Sequence, residues 1–286
     1  QDPQTQEWSG LDVDYCRALS AAIFSGDPDR VLFIELSSSR RFIALANDEV
    51  DVLSRITTVT MPRDIKEPAS GVGFTFTQPT FYDGLTFGGI PPFDECVFDL
   101  NTVSDVCENL VVCVQLNTTF YTNVNRLFPP RAIVGKLTNE DTEQGLTTGD
   151  CNVIAGGVAD VAIETIRETG RYQGPYKVVP RIFAKDPLAL VTREDDPQWS
   201  AFVAAIVSAT FYAEEINVTQ IDTYAMPITQ LFGTQFSRMF RNAISAVGNY
   251  GEIYERNLEL FIPREGLNNL NRRPFGPQHY PYPTLG

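Results

Sequence analysis

The sequence predicts an α/β fold, and two observations support this prediction. Segments with the apolar pattern of buried strands alternate along the chain with segments that have the periodicity of amphipathic helices. This alternation is typical of open parallel sheets covered by helices. The chain has 286 residues, of which 43% are hydrophobic, so it can bury a substantial core as one large or two ordinary domains.

The first predicted element is a helix over 12–24, because Leu11, Tyr15, Leu19 and Ile23 recur every four residues. The other elements continue the alternation in the order strand 31–36, helix 39–47, strand 50–54, strand 111–115 and helix 119–127. The last helix follows the sequence Asn117-Thr118-Thr119, whose residue types are typical of helix N-caps.

Charge and composition exclude several classes of function. The formal net charge is −14 at pH 7, so nucleic acid and anionic membrane surfaces would repel the chain. No apolar run approaches the roughly 20 residues that span a bilayer. No basic and then apolar signal sequence precedes Gln1, so we expect a mature or cut chain.

The run from Ser54 to Asp64 has the composition of a carboxylate receptor. Thr57, Thr58 and Thr60 follow an apolar strand pattern and offer short hydroxyl donors. Arg63 can add a planar, two-pronged donor to a carboxylate. The local sequence is equally compatible with a loop arginine in a surface ion pair.

Seven segments resemble one protein family, in order and over nearly the whole chain. They are 8–19 (WSGLDVDYCRAL), 41–45 (RFIAL), 51–55 (DVLSR), 81–84 (FYDG), 112–115 (VCVQ), 185–188 (KDPL) and 247–257 (VGNYGEIYERN). They are similar to the periplasmic solute-binding proteins of amino-acid ABC transporters, and within them to the general L-amino-acid-binding type. The last segment is too long and too specific to match by chance.

The resemblance implies a two-lobed, type II periplasmic-binding-protein fold whose lobes are joined by a hinge of two crossover strands. We expect lobe 1 to consist of 1–86 plus 184–286 and lobe 2 to be the insert 87–183. The crossings are expected near 84–89 and 182–190. The implied ligand-binding residues are Arg63, Thr58, Thr118, Thr119, Arg55 and Ser38.

The cysteines indicate an oxidising compartment, either periplasmic or extracellular. The five cysteines include no Cys-x-x-Cys spacing, and His279 is the single histidine, so we expect neither a metal site nor another cofactor. Cys113 and Cys151 match family positions on strands that the resemblance makes neighbours, which predicts a disulfide. Cys96 and Cys107 flank a short insertion whose length suits a second bridge. Cys16 is left as a buried free thiol.

Two departures from the family concern the ends of an amino-acid ligand. Asn117 stands where the family has a glycine that opens a carboxylate-binding helix; it can cap the helix, or carry a glycan within the sequon 117–119. A second sequon begins at Asn217. Gly157 stands where the family has the aspartate that pairs with the ligand ammonium, so recognition of that group is in doubt. Ile56 and Val59 replace a family asparagine and tryptophan.

Family members also begin with a strand ahead of the segment matched at Trp8, and we expect that this strand has been removed. A neighbouring chain that pairs with an open sheet edge near 31–36 is the alternative. The tail 272–286, rich in proline and aromatic residues, is expected to form a strap on the surface, or else a partner-binding arm.

Three functions fit these observations. The first is a solute-binding protein that captures a small carboxylate ligand or amino acid between two lobes and delivers it to a transporter. The second is a binding-dead secreted glycoprotein that serves as a scaffold or homo-oligomeric assembly subunit. The third, an enzyme, is not expected, because no histidine, paired carboxylate or nucleophile motif is evident for acid–base chemistry.

Overall fold

The computed structural model describes residues 5, 7–101 and 104–269; the tail segment 272–286 lies outside the described residues. The helices along the chain are α1 (Leu11–Ile23), α2 (Arg41–Ala46), α3 (Met61–Lys66), α4 (Phe93–Phe98), α5 (Thr119–Leu127), α6 (Asn139–Thr148), α7 (Val158–Val161), α8 (Ile163–Thr169), α9 (Pro197–Glu215), α10 (Met239–Val247) and α11 (Tyr250–Asn257). The strands are β1 (Phe74–Phe76), β2 (Phe81–Gly89), β3 (Val112–Gln115), β4 (Ile133–Lys136), β5 (Val153–Gly156), β6 (Lys177–Val178), β7 (Ala184–Leu188) and β8 (Val191–Arg193).

The chain divides into two compact units. Unit 1 contains the described parts of Gln1–Phe81 and Leu188–Gly286, and unit 2 contains those of Tyr82–Pro187. The chain passes from one unit to the other inside β2 and returns inside β7, so unit 1 is discontinuous in sequence.

Unit 1 is built around α1, which packs on α10 with an apolar face that includes the buried Tyr15 and Leu19. The buried carboxylate of Asp14 on α1 accepts hydrogen bonds from Arg256 Nη2 at 2.6 Å and Asn257 Nδ2 at 2.7 Å, at the end of α11. The two longest segments of the family resemblance therefore meet through side chains that fasten helices together.

Unit 1 contains fewer of the predicted strands than the sequence suggests. β1 pairs with β8 in antiparallel register, and the predicted strand 50–54 contributes one bridge, from Leu53 to Val191. The predicted strand 31–36 is wrong. This segment pairs with no strand among the described residues, and Leu32 is 84% exposed, because an apolar extended segment forms a strand only where a neighbour completes its ladder.

Unit 2 contains a mixed sheet in the order β4-β3-β5-β2-β6, with β7 also paired to β2. β3 runs parallel to β4 and β5, whereas β2 runs antiparallel to β5 and β6. Its core includes the fully buried Leu85, Phe87, Val112 and Val153.

Both predicted disulfides are present, and both lie in unit 2. Cys113 in β3 is bonded to Cys151, which precedes β5, and Cys96 in α4 is bonded to Cys107. The first bridge packs against α6 at Gly145, where an added Cβ would lie 2.7 Å from the sulfur of Cys113. A side chain at this position would collide with the bridge.

Cys16 is a free thiol on α1, in unit 1, as expected, but the residue is partly exposed rather than buried. Burial, with a smaller contribution from the nearby Asp12 carboxylate, raises the pKa of the Cys16 thiol to about 12. The thiol is therefore almost entirely protonated at neutral pH.

Candidate functional site

The turn that follows Leu53 in unit 1 is fixed at both of its ends. Leu53 bridges to Val191, Thr58 bridges to Leu188, and the amide of Ala189 donates to the carbonyl of Thr57 at 3.0 Å. Thr57 and Thr58 are both buried. The backbone of this turn is therefore held by the stretch of chain that enters β8.

Arg63 is brought to this turn by α3. Thr60 is the N-cap of α3 and accepts from the Arg63 amide at 3.4 Å, so its hydroxyl serves the helix rather than a ligand. The guanidinium donates to the Thr58 carbonyl at 2.8 Å and lies 5.1 Å from the ring centroid of Phe42. Arg63 is buried, which contradicts the alternative of a loop arginine in a surface ion pair.

Arg55, at the start of the same turn, contacts Leu36 and Ser38. Arg55 Nε donates to the carbonyl of Leu36 at 2.7 Å, and its Nη2 donates to Ser38 Oγ at 3.3 Å. Arg41, which the sequence analysis did not select, donates to the carbonyls of Arg55 and Ile56 at 3.4 and 3.2 Å. The sequence signal that could have identified Arg41 is its place in the family-like segment 41–45.

Thr118 and Thr119 open helix α5 in unit 2. Thr118 is the N-cap, accepting from the Tyr121 amide at 3.1 Å and donating to the Gln115 carbonyl at 2.7 Å. The idea that Asn117 caps this helix is wrong. Asn117 instead occupies the left-handed region with a φ of 61°, which explains why it can replace a glycine. Thr119 donates to Asp186 Oδ1 at 3.0 Å.

Asn217, which begins the second sequon, also has a φ of 61°. Both asparagines are exposed, so each has a backbone reason for its identity that is independent of glycosylation. N-glycans at these positions stay a prediction.

The carboxyl groups of Asp83 and Asp160 both lie against Gly157. This arrangement was not predicted from the sequence. A Cβ added to Gly157 would lie 2.1 Å from Asp83 Oδ2 and 3.4 Å from Asp160 Oδ2. Asp83 Oδ1 accepts from the Val158 and Gly84 amides, both at 2.8 Å. The two carboxyl groups are brought together by β2 and α7, which are distant in sequence.

The surroundings of this pair favour the protonated acids. Burial, followed by the charge of Asp160, raises the pKa of Asp83 to about 7. Burial also raises the pKa of Asp160 to about 6, with smaller contributions from Asp186 and Glu143, and despite a hydrogen bond from Asn139. A cation held by these groups would relieve their mutual repulsion.

Among the described residues, no group of three or more histidine, cysteine, aspartate or glutamate side chains is arranged to hold a metal ion. In the same part of the chain, no helix is long and apolar enough to cross a membrane.

No protein-family model matches the chain. YhdW of Escherichia coli (strain K12), whose assignment as an amino-acid ABC transporter-binding protein is provisional, is 32% identical over 289 residues, covering 92% of this chain and 80% of YhdW. AapJ of Rhizobium johnstonii, a general L-amino acid-binding periplasmic protein, is 29% identical over 282 residues with the same shares covered.

Two solved structures are similar to this chain. A periplasmic binding protein from Brucella ovis with glutathione bound has a TM-score of 0.73 and 30% identity, covering 94% of this chain and 87% of that one. An ancestral arginine-binding protein bound to arginine has a TM-score of 0.61 at 16% identity, covering 90% and 91%, which supports the fold alone. This chain belongs to the periplasmic amino-acid-binding proteins of ABC transporters, with their type II fold.

Proposed function

We propose that this protein binds a small α-amino acid and that it recognises both the carboxylate and the ammonium group. The observation that carries the proposal is the position of the Asp83 carboxyl group. It occupies the space that a side chain at Gly157 would fill, at the position where the family resemblance expects the ammonium-binding aspartate. In this proposal Asp83 and Asp160 supply the negative charge that Gly157 cannot.

Unit 1 would supply the groups for the ligand carboxylate. Arg63 is buried beside Thr58 and keeps a planar guanidinium suited to a carboxylate. Arg55 and Ser38 adjoin the same turn. In unit 2, Thr118 and Thr119 stand at the N-terminal end of α5, where amides and the helix dipole favour a negative group.

The partner of this function would be an ABC transporter, as the name of YhdW suggests. The two disulfides of unit 2 fit the periplasm or another oxidising compartment. The alternative of a binding-dead glycoprotein scaffold, with N-glycans or homo-oligomers, gains no support from these relatives.

Calorimetric titration of L-amino acids, and of the carboxylic acids that lack only the α-amine, tests the proposal. We expect at least one amino acid to bind, and the matched deaminated acid to bind at least about 30-fold more weakly, because a desolvated charge would lose its partner. Asp83→Asn should weaken the amino acid by a similar factor while leaving the deaminated acid almost unchanged.

Glu168→Gln, which neutralises an exposed carboxylate elsewhere in unit 2, is the matched control and should bind like the natural protein. Equal binding of an amino acid and its deaminated analogue would contradict the assignment of the ammonium site.

A further inference from the structure

Ile56 adopts a backbone conformation that isoleucine rarely occupies. Its φ is 37°, in the left-handed region, where a β-branched side chain meets its own backbone. The other non-glycine residues with positive φ in the described chain are Ser25, Asp48, Asn117 and Asn217, whose short polar side chains tolerate this region better. Ile56 is therefore the outlier that needs an explanation.

Two charged side chains hold this conformation. The Ile56 amide donates to Asp12 Oδ2 at 2.8 Å, and the Ile56 carbonyl accepts from Arg41 Nη1 at 3.2 Å. Ser54 Oγ donates to the Asp12 carbonyl at 2.8 Å and so secures the end of α1 against the turn. Arg41 is only 3% exposed, so this clamp is built into unit 1.

Packing does not explain why the residue is an isoleucine. Its side chain is 53% exposed and does not belong to the core cluster nearby, whose members are Phe42, Leu45, Leu53, Phe74 and Val191. A glycine or an asparagine would satisfy the backbone with less strain. An exposed apolar side chain kept at a strained position is better explained by something that it contacts.

We propose that Ile56 is a specificity-determining residue whose side chain packs against an aliphatic part of the bound amino acid, and that Asp12 and Arg41 are positioning residues for it. This inference rests on the proposed function, because Ile56 lies between Arg55 and the Thr57–Thr58 pair of the candidate carboxylate site. It goes further by naming the ligand class: amino acids with an aliphatic side chain.

The test compares Ile56→Gly and Ile56→Asn with the conservative control Ile56→Val, using thermal unfolding and calorimetric titration of leucine, valine, glutamine and glutamate. We expect Ile56→Gly and Ile56→Asn to raise Tm by a few °C because strain is relieved. The same variants should bind the aliphatic ligands about tenfold more weakly, while polar ligands change less than about threefold. Ile56→Val should keep the natural selectivity.

Stability and affinity thus move in opposite directions, which a purely structural isoleucine would not produce. If the natural protein binds amino acids but its selectivity is unchanged in Ile56→Gly, this inference alone is overturned. If the natural protein binds none of the twenty amino acids, the proposed function is overturned together with it. A fall in Tm for Ile56→Gly would show that the side chain serves the fold.

The clamp is tested separately by a double-mutant cycle. Asp12→Ala should lower Tm in the natural background and lower it much less in Ile56→Gly, since glycine does not need to be held at positive φ. Equal losses in the two backgrounds would exclude Asp12 as a positioning residue for Ile56.

Discussion

Asp83 and Asp160 have pKa values of about 7 and about 6, both raised mainly by burial. A carboxyl group whose pKa is higher in the folded than in the unfolded state binds more protons when folded. The stability that it contributes is greatest in acid and falls as the pH rises from about 4 to about 7. The contribution of these two acids should therefore make unit 2, without ligand, less stable at neutral pH than at a pH where both acids are protonated.

Asp83→Asn should remove much of this dependence. At about pH 3 the variant and the natural protein should unfold at similar temperatures, because Asp83 is then mostly protonated in both the folded and the unfolded state. At about pH 8 the variant should be more stable by a few °C, since asparagine carries no buried charge. Thermal unfolding across this range is the measurement. Parallel curves for the two proteins would show that Asp83 does not govern the pH dependence.

These two residues also show the limit of sequence reasoning at the site. The missing aspartate at Gly157 is visible in the sequence, but the carboxyl groups that lie against Gly157 come from β2 and α7, and their proximity depends on the sheet. That Arg63 and Thr58 lie together could be predicted because they are close in sequence; their role in ligand binding stays a prediction. Contacts between residues that are close in sequence can be predicted from the sequence, whereas contacts between distant positions cannot.

At the scale of elements, helix α5 was predicted with its observed bounds, since its cap and its periodicity are local features. The segments 31–36 and 50–54 were predicted as strands, yet the first has no partner strand in the described chain and the second has a single bridge. Strand formation depends on neighbours far away in sequence, so an apolar pattern predicts extension better than pairing.

The turn between β3 and α5 allows a direct test of backbone conformation. Asn117→Gly should keep or slightly raise stability, whereas Asn117→Ala should lower the free energy of unfolding by about 1 kcal/mol, because alanine resists a φ of 61°. Urea denaturation of the two variants, both of which lack the sequon, is the measurement. If alanine and glycine proved equally stable, the left-handed conformation would not explain the asparagine.

At the scale of the molecule, the family segments 8–19 and 247–257 identified the fold correctly. Their role could not be predicted, because the ion pair between Asp14 and Arg256 joins positions near opposite ends of the sequence. Asp14 and Arg256, from the two longest family segments, fasten helices of unit 1. Arg55 and Asp83, from two shorter family segments, belong to the candidate site.

The positions of the two disulfides predict that reduction will destabilise unit 2 more than unit 1. Both bridges lie in unit 2, with closed segments of 38 and 11 residues, so reduction should destabilise unit 2 by about 2–5 kcal/mol for each bridge. Differential scanning calorimetry with and without reductant should therefore show the loss in the transition of unit 2. The variant Cys113→Ala/Cys151→Ala should reproduce most of it. An equal shift of both units would mean that they unfold as one.

The free thiol of Cys16 can serve as a chemical probe of unit 1. Its thiol is protonated, and the residue is only partly exposed on α1, so an alkylating reagent should react slowly with the folded protein and faster when α1 leaves its packing. The other four cysteines are already bonded, so modification of the oxidised protein occurs at a single place. A faster gain of mass under conditions that loosen α1 would thus report the opening of unit 1, without any engineered label.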